Sequence, residues 1–198
     1  EAKVKVFGPA RSTCVARVLV CLEEVGAEYE LVHVHLPAGE HKGPAHLART
    51  LFGQVPAFQD GDLILFDLLR ENSLAESATV DAWLEAESHN FDRAMSAITF
   101  QCFVVPMFMG GTTDHKIVEE NMEKLKAALG VYEERLTRFK YLAGDFISLA
   151  DLSHCPMAHY LLASPCASVL DAYPRVKDWV DGMMDRPSVK KVMELMDA

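Results

Sequence analysis

Positive charge is in short supply: 19 Lys and Arg face 29 Asp and Glu in 198 residues, a net charge of -10 and a pI near 5.2. That balance is unfavourable for a surface that must hold a polyphosphate, so nucleic acid is excluded as the expected partner. Long hydrophobic runs are missing too. The longest apolar stretch, Cys102 to Met109, is interrupted by Pro106 and falls well short of the roughly 18 residues a membrane span requires. We therefore expect no membrane anchorage. The start Glu1-Ala2-Lys3-Val4-Lys5 lacks the basic residues and apolar run of a secretory leader, and the cytosol is the expected compartment, although processing removes such leaders.

Paired cysteines are also absent. There are five, an odd number, and none forms Cys-x-x-Cys; Cys14 and Cys21 on one predicted helix would lie about 10 Å apart, beyond disulfide reach. Reduced thiols are expected. The eight histidines show no His-Glu-x-x-His, and neither a Gly-x-Gly-x-x-Gly fingerprint nor a Walker loop occurs, so we expect no metal and no nucleotide. Repeats and low-complexity tracts are lacking. What is present is 50% hydrophobic residues, enough for one compact domain or two small ones with a buried core.

Val4 and Val6 alternate with lysines before Gly8-Pro9, which predicts a short half-buried strand. Val15, Val18, Leu19, Leu22 and Val25 recur at helical spacing behind Ser12-Thr13, and Gly26 follows, which predicts a helix over 13–25. A second strand is expected from Tyr29 to His35, followed by a long irregular connection punctuated by Pro37, Gly39, Gly43 and Pro44. Val55 to Gln59 and Leu63 to Phe66, joined by Asp60-Gly61, read as a β-hairpin. A parallel pair with a crossover plus an antiparallel pair makes a small mixed sheet. After Phe66 everything reads as helix: Leu74 to about Val105, ended by Pro106, Gly110 and Gly111, a long stripe of Val118, Met122, Leu125, Leu129, Tyr132 and Leu136, a capping box at Ser148-Leu149-Ala150-Asp151, and two short helices behind Tyr173-Pro174 and Arg186-Pro187. Charge is split unevenly. Residues 1–66 hold 6 basic and 8 acidic side chains against 13 and 21 in residues 67–198, so the first part, with Arg11, Arg17, Lys42 and Arg49, accepts a small anion more readily.

Several residues invite a chemical reading. Ser12 stands where free amides and the positive end of a helix dipole stabilise a thiolate or carboxylate; the plainer alternative is that Ser12 or Thr13 caps the helix. No spacing of His and Asp activates Ser12 as a nucleophile, but donating a hydrogen bond to a bound nucleophile needs no such triad. Val55-Pro56 is either an ordinary trans loop or a cis turn whose exposed backbone pairs with a peptide. Glu40-His41-Lys42 offers a cation to an anionic ligand, or is an exposed charged loop. His33 and His35 share a strand face, as half-buried strand residues. Cys14 is a packed small side chain or a thiol favoured by the dipole.

Taken together, Lys5-Val-Phe-Gly8, Ser12, Leu22-Glu-Glu-Val-Gly26, Glu40-His-Lys42, Phe52-Gly-Gln-Val-Pro56, Gln59-Asp-Gly-Asp62, Tyr141-Leu-Ala-Gly-Asp145 and Ser148-Leu-Ala-Asp151 resemble a plant phi-class glutathione transferase over nearly the whole chain. The resemblance implies a two-domain, α/β plus all-α fold. A thioredoxin-like glutathione-binding domain with a mixed four-stranded sheet spans 1–66, a linker 67–73, and an all-helical domain with a hydrophobic substrate site 74–198. It implies a homodimer that takes glutathione as co-substrate and conjugates it to hydrophobic electrophiles such as xenobiotics or herbicides, with peroxidase activity toward organic hydroperoxides as a further role.

The same resemblance assigns residues. Ser12 matches the serine whose hydroxyl hydrogen-bonds the glutathione sulfur and favours its thiolate. His41 and Lys42 match the contacts to the glycyl end. Gln54 and Val55 match the pair beside the cis proline, here Pro56, with the Val55 backbone pairing with the cysteinyl portion. Leu36, Phe100 and Val104 fall where the hydrophobic substrate pocket is lined, and Arg11 flanks Ser12 where it alters substrate choice. Three departures stand out. Thr50-Leu51 replaces the usual Asn-Pro, and Arg11 and Cys14 flank the serine. After Phe66 the family continues with Glu-Ser-Arg-Ala-Ile, a helix whose Glu-Ser pair grips the γ-glutamyl end. Here Asp67-Leu68-Leu69-Arg70 follows at once, so about 15 to 20 residues that would cover one sheet face are missing. We expect the complete polypeptide to contain them as a mobile segment, which an intact mass near 22.0 kDa would contradict. Two other functions are open at this stage: a small-molecule binding or regulatory protein on the same fold, and thiol transfer through Cys14.

Overall fold

A computed structural model describes residues 4–50, 52–59 and 74–198. The chain divides into two units, Glu1–Leu68 with Arg186–Ala198, and Leu69–Asp185. The first is thioredoxin-like. Strand β1 (Val4–Phe7) leads into helix α1 (Thr13–Glu24), strand β2 (Tyr29–Val32), a 3₁₀ turn at Glu40–Lys42, the short helix α2 (Pro44–Leu47) and strand β3 (Ala57–Gln59). Strand order is β2-β1-β3, with β1 parallel to β2 and antiparallel to β3. The expected fourth strand, Leu63 to Phe66, and the linker 67–73 lie outside the described residues.

Strand β2 is shorter than its sequence pattern suggests. Its pairing with β1 ends at Phe7 opposite Val32, because Gly8 then leaves the sheet, its amide donating to the Val32 carbonyl at 2.9 Å. His33 and His35 consequently lie beyond the strand and are exposed, not half-buried, their rings 6.2 Å apart. Phe7, Val34 and Ala57 form a buried cluster that Val32, Leu36 and Val55 cover.

The second unit is all-helical among the described residues. Helices α3 (Leu74–Ala86), α4 (Asp92–Thr99) and α5 (Val105–Phe108) run on through π-helical turns at Glu87–Phe91 and Phe100–Val104. Pro106 does not end this helix as expected. The wide turn before it relieves the ring's clash with the preceding carbonyls, so the chain stays helical to Phe108. Helix α6 (His115–Leu136) begins where Asp114 Oδ1 accepts the amides of Lys116 and Ile117 at 3.0 and 3.3 Å. Its stripe faces the core, with Val118, Leu125, Leu129, Tyr132 and Leu136 buried. Helices α7 (Leu149–Leu152), α8 (Cys155–Ala163) and α9 (Pro174–Met184) complete the unit. Buried His154 joins them: Nδ1 donates to the Ala150 carbonyl at 2.8 Å, so Nε2 accepts from the Tyr132 hydroxyl at 3.1 Å.

Helix α10 (Pro187–Asp197) packs on α1. The tail from Arg186 onward thus falls with the first unit, where a linear division at residue 74 assigns it to the second. Val189, Val192, Met193 and Met196 supply the buried face. Charged groups fix its start: Glu24 accepts from the Arg186 guanidinium and, at 2.5 Å, from the Ser188 hydroxyl, while Lys191 pairs with Glu23 at 2.7 Å. Burial alone would raise both carboxyls. The hydrogen bonds from Arg186 and Ser188 to Glu24, from Lys191 and Tyr29 to Glu23, and the two cationic charges outweigh it and leave both below the ordinary value of 4.5. A lowered acid stabilises the fold above its unfolded-state value and stops doing so as pH falls through the folded one. Acidification below 4.5 is therefore expected to loosen α10 before the rest of the molecule. Hydrogen exchange of the α10 amides checks this, and in Glu24→Gln the acid-dependent step shrinks.

Candidate active site

Gly8 is the point about which the site is built. A Cβ there would lie 2.5 Å from Val15 Cγ2 and 3.2 Å from Val55 Cβ. The backbone leaving β1 is thus pressed between the first turn of α1 and the turn that precedes β3. That is how Ser12 and Val55, 43 positions apart in sequence, belong to one neighbourhood. We expect Gly8→Ala to cost about 1–3 kcal/mol by overpacking, read as a lower melting temperature.

Ser12 precedes α1 with extended backbone (φ -73°, ψ 123°), and its side chain caps no amide of the helix. Its carbonyl accepts the first helical hydrogen bond, from the Ala16 amide at 2.8 Å. A serine in the favoured capping position whose hydroxyl is not spent on capping leaves that hydroxyl, and the helix N-terminal amides behind it, for an anion. Arg11, before it, and Cys14, after it, are exposed, so Cys14 is not the packed side chain that one reading of the sequence suggested.

The Val55-Pro56 bond is cis. The turn it belongs to is held by the segment over it. Lys42 Nζ donates to the Phe52 carbonyl at 2.9 Å, and buried His46 places Nε2 2.8 Å from the Gln54 carbonyl, to which it donates. Gly53, at φ +56°, passes so close that a Cβ would sit 2.7 Å from the His41 carbonyl and 3.0 Å from Lys42 Cδ. His41, Lys42, Gln54 and Val55 are thereby brought together. The ring nitrogens His41 Nδ1 and His46 Nδ1 are buried without a hydrogen-bond partner, which costs each about 1–3 kcal/mol until something satisfies it.

Gly53 and His46 were not singled out from sequence. Gly53 had a signal, since a glycine before Gln-Val-Pro marks a close backbone approach. His46 had none, because its role depends on α2 folding over Gln54. Leu36 is half-buried against the Phe7, Val34 and Ala57 cluster. Phe100 and Val104 are the first and last residues of a π-helical turn in the second unit, the former exposed and the latter half-buried. Among the described residues no group of three or more His, Cys, Asp or Glu is arranged to hold a metal, and no helix is long and apolar enough to cross a membrane.

Family models for the N-terminal and C-terminal domains of glutathione S-transferase match residues 2–67 and 93–187. A probable glutathione S-transferase of rice, GSTF1, is 52% identical over 211 aligned positions covering 98% of this chain and 96% of its own. The chain belongs to the plant phi class of glutathione transferases. Maize glutathione S-transferase 1 is 51% identical, with 98% of each chain covered. Among solved structures, glutathione S-transferase I bound with lactoylglutathione superposes with a TM-score of 0.92 at 51% identity, over 98% of this chain and 100% of that one. The maize enzyme in complex with an atrazine glutathione conjugate also gives 0.92 at 51% identity, covering 99% of each. This transferase conjugates glutathione to electrophiles. The rice alignment spans 211 positions although this transferase has 198 residues, so it opens gaps of more than a dozen positions in this chain.

Proposed function

We propose that Ser12 is the catalytic residue, donating its hydroxyl hydrogen bond to the sulfur of bound glutathione and holding it as the thiolate. The observation that carries this is the uncapped Ser12 hydroxyl at the start of α1. A charge-assisted hydrogen bond and oriented amides favour the ionised sulfur over the neutral thiol. The thiolate then attacks an electrophilic carbon: a C–S bond forms, and on a chloroarene or chlorotriazine the carbon–chlorine bond breaks and chloride leaves. The atrazine conjugate held by the maize enzyme favours chlorinated herbicides as one substrate class here. Toward an organic hydroperoxide the same thiolate attacks a peroxide oxygen: the O–O bond breaks, the alcohol leaves, and the sulfenic acid formed condenses with a second glutathione thiol to glutathione disulfide and water.

In this reading His41 and Lys42 take the glycyl carboxylate, Lys42 sharing its ammonium between that anion and the Phe52 carbonyl. The orphaned His41 Nδ1 supports a ligand on that side. Gln54, Val55 and Pro56 form the edge along which the cysteinyl part of the tripeptide lies, the Val55 backbone making the pairing bonds. The residues assigned to contact with the hydrophobic electrophile are Arg11 and Leu36 and, within the helical unit, Phe100 and Val104. The protein works as a homodimer in the cytosol, with domains that begin at residues 1 and 74 and the tail from Arg186 packed with the first. The gaps in the alignment with rice GSTF1 support the reading that the complete polypeptide carries, after Phe66, the further segment that grips the γ-glutamyl end.

The experiment is the glutathione-dependent conjugation of chlorodinitrobenzene by the purified protein. A rate that saturates in both glutathione and the chloroarene and exceeds the uncatalysed rate is the expected result. A folded protein that binds glutathione without turnover would favour the binding-protein alternative.

A further inference from the structure

The helix that carries Phe100 and Val104 leaves one carbonyl without a helical partner. Through the π-helical turn Phe100–Val104 the hydrogen bonds reach back five residues, and the Val105 amide, which an α-helix would give to Gln101, donates instead to the Phe100 carbonyl. The next residue, Pro106, has no amide to give. The Gln101 carbonyl is therefore passed over twice, first by a wide turn and then by a proline, and an unsatisfied carbonyl is costly in a residue as buried as Gln101. What satisfies it comes from outside the helix: the Thr113 hydroxyl donates to it at 3.0 Å. The Gln101 side chain holds the neighbouring residue, its Oε1 accepting the Asp114 amide at 2.9 Å, and Asp114 is the residue that caps α6. At the other end of the same loop the Gly111 amide donates to the Val105 carbonyl at 3.1 Å, and a Cβ on Gly111 would lie 2.9 Å from Val105 Cγ1. Residues 111–114 are thus clipped onto the wide turn and the residue after it, all within the second unit.

We propose that Thr113 is a positioning residue for the electrophile, its hydroxyl holding the π-helical turn in the form that presents Phe100 and Val104. The proposal rests on the assignment of those two side chains to contact with the electrophile. Gln101 stands between them in sequence, so a shift of its carbonyl moves the turn that carries both. The competing form is the α-helical one, in which the Val105 amide returns to Gln101. The turn then tightens and swings Val104 around the helix axis relative to Phe100. Only the wide form leaves the Gln101 carbonyl open, so a hydroxyl that donates to that carbonyl favours the wide form over the tight one. Thr113 itself touches no reacting atom. Its effect is on binding of the electrophile, shared by ground state and transition state, and such a loss raises KM without lowering kcat.

The test is steady-state conjugation of chlorodinitrobenzene by Thr113→Val, which keeps the shape and removes the donor, beside Thr113→Ser, which keeps the donor, and Phe100→Ala. In Thr113→Val the KM for the chloroarene is expected to rise about tenfold, the low end of what one methylene of pocket contact is worth, with kcat and the KM for glutathione unchanged. Thr113→Ser should return the chloroarene KM to near the native value. A hydroxyl that served stability alone would lower the melting temperature of Thr113→Val and leave all three constants where they were, and that result would overturn the proposal. So would a matching fall in kcat or rise in the glutathione KM, or a Thr113→Ser variant as impaired as Thr113→Val. Phe100→Ala separates this proposal from the assignment beneath it. If Phe100→Ala leaves the chloroarene KM unchanged, that assignment fails and the proposal with it; if it raises that KM while Thr113→Val does not, the proposal alone fails. Should Thr113→Val not fold, Thr113→Ala is read in its place against the same expectations.

Discussion

Ser12→Ala is expected to lower kcat/KM for conjugation by about 10²–10³-fold, or about 2.7–4 kcal/mol, the size of effect seen when a single donor to a developing anion is removed. It should leave stability within about 0.5 kcal/mol, because the side chain caps nothing. The two readouts separate the alternatives. A serine that served only as a cap would show the reverse pattern: a loss of about 1 kcal/mol in stability and little change in rate. Residual catalysis should survive in the variant, since the helix N-terminal amides and the cradle formed by His41, Lys42 and the Gln54-Val55 turn are still present. Glutathione affinity measured at low pH, where the sulfur is a neutral thiol, should change little. Chloroarene conjugation and urea denaturation on the same preparation check the pair of expectations.

Asp151→Ala carries the largest expected loss of stability. The carboxylate is fully buried and accepts four hydrogen bonds: from the Leu142 and Ser148 amides and the Ser148 hydroxyl at 2.9 Å each, and from Trp179 Nε1 at 3.1 Å. Burial pushes its carboxyl up, while these donors pull against that. Alanine leaves four buried donors unsatisfied, each costing about 1–3 kcal/mol, so the total exceeds about 4 kcal/mol unless water enters. That is a large part of the stability of a protein domain. Asp151→Asn keeps the shape and one acceptor oxygen and should lose less. Urea unfolding followed by tryptophan fluorescence measures both, and a midpoint unchanged in Asp151→Ala would contradict the assignment of Asp151 as the buried anchor of α7, α9 and the loop at Leu142.

What could be read from the residues follows from how local each signal is. The alternation at Val4 and Val6, the apolar spacing of α1 and the stripe of α6 are local, and the structure has all three. The capping box at Ser148 and Asp151 is local as well, but its link to Trp179 joins residues 28 apart and leaves no trace in spacing. The sequence predicts β2 too long because His35 continues an alternation that the partner strand, turning away at Gly8, cannot pair. Pro106 predicts a stop because the π-helical turn before it has no sequence signature. The role of Ser12 illustrates the limit most clearly. Composition and position favour a cap, whereas in the folded protein the hydroxyl is not so used. His46 became visible only when α2 closed over the Gln54 carbonyl.

The central claim is that the Ser12 hydroxyl stabilises the glutathione thiolate, and the direct measurement is the pH titration of thiolate absorbance in the binary complex. With the native protein the midpoint should fall about one to two pH units below that of free glutathione, the equivalent of a charge-assisted hydrogen bond of about 1.5–3 kcal/mol. In Ser12→Ala it should return most of the way to the free value. The same midpoint in both proteins, with glutathione demonstrably bound, would contradict the account.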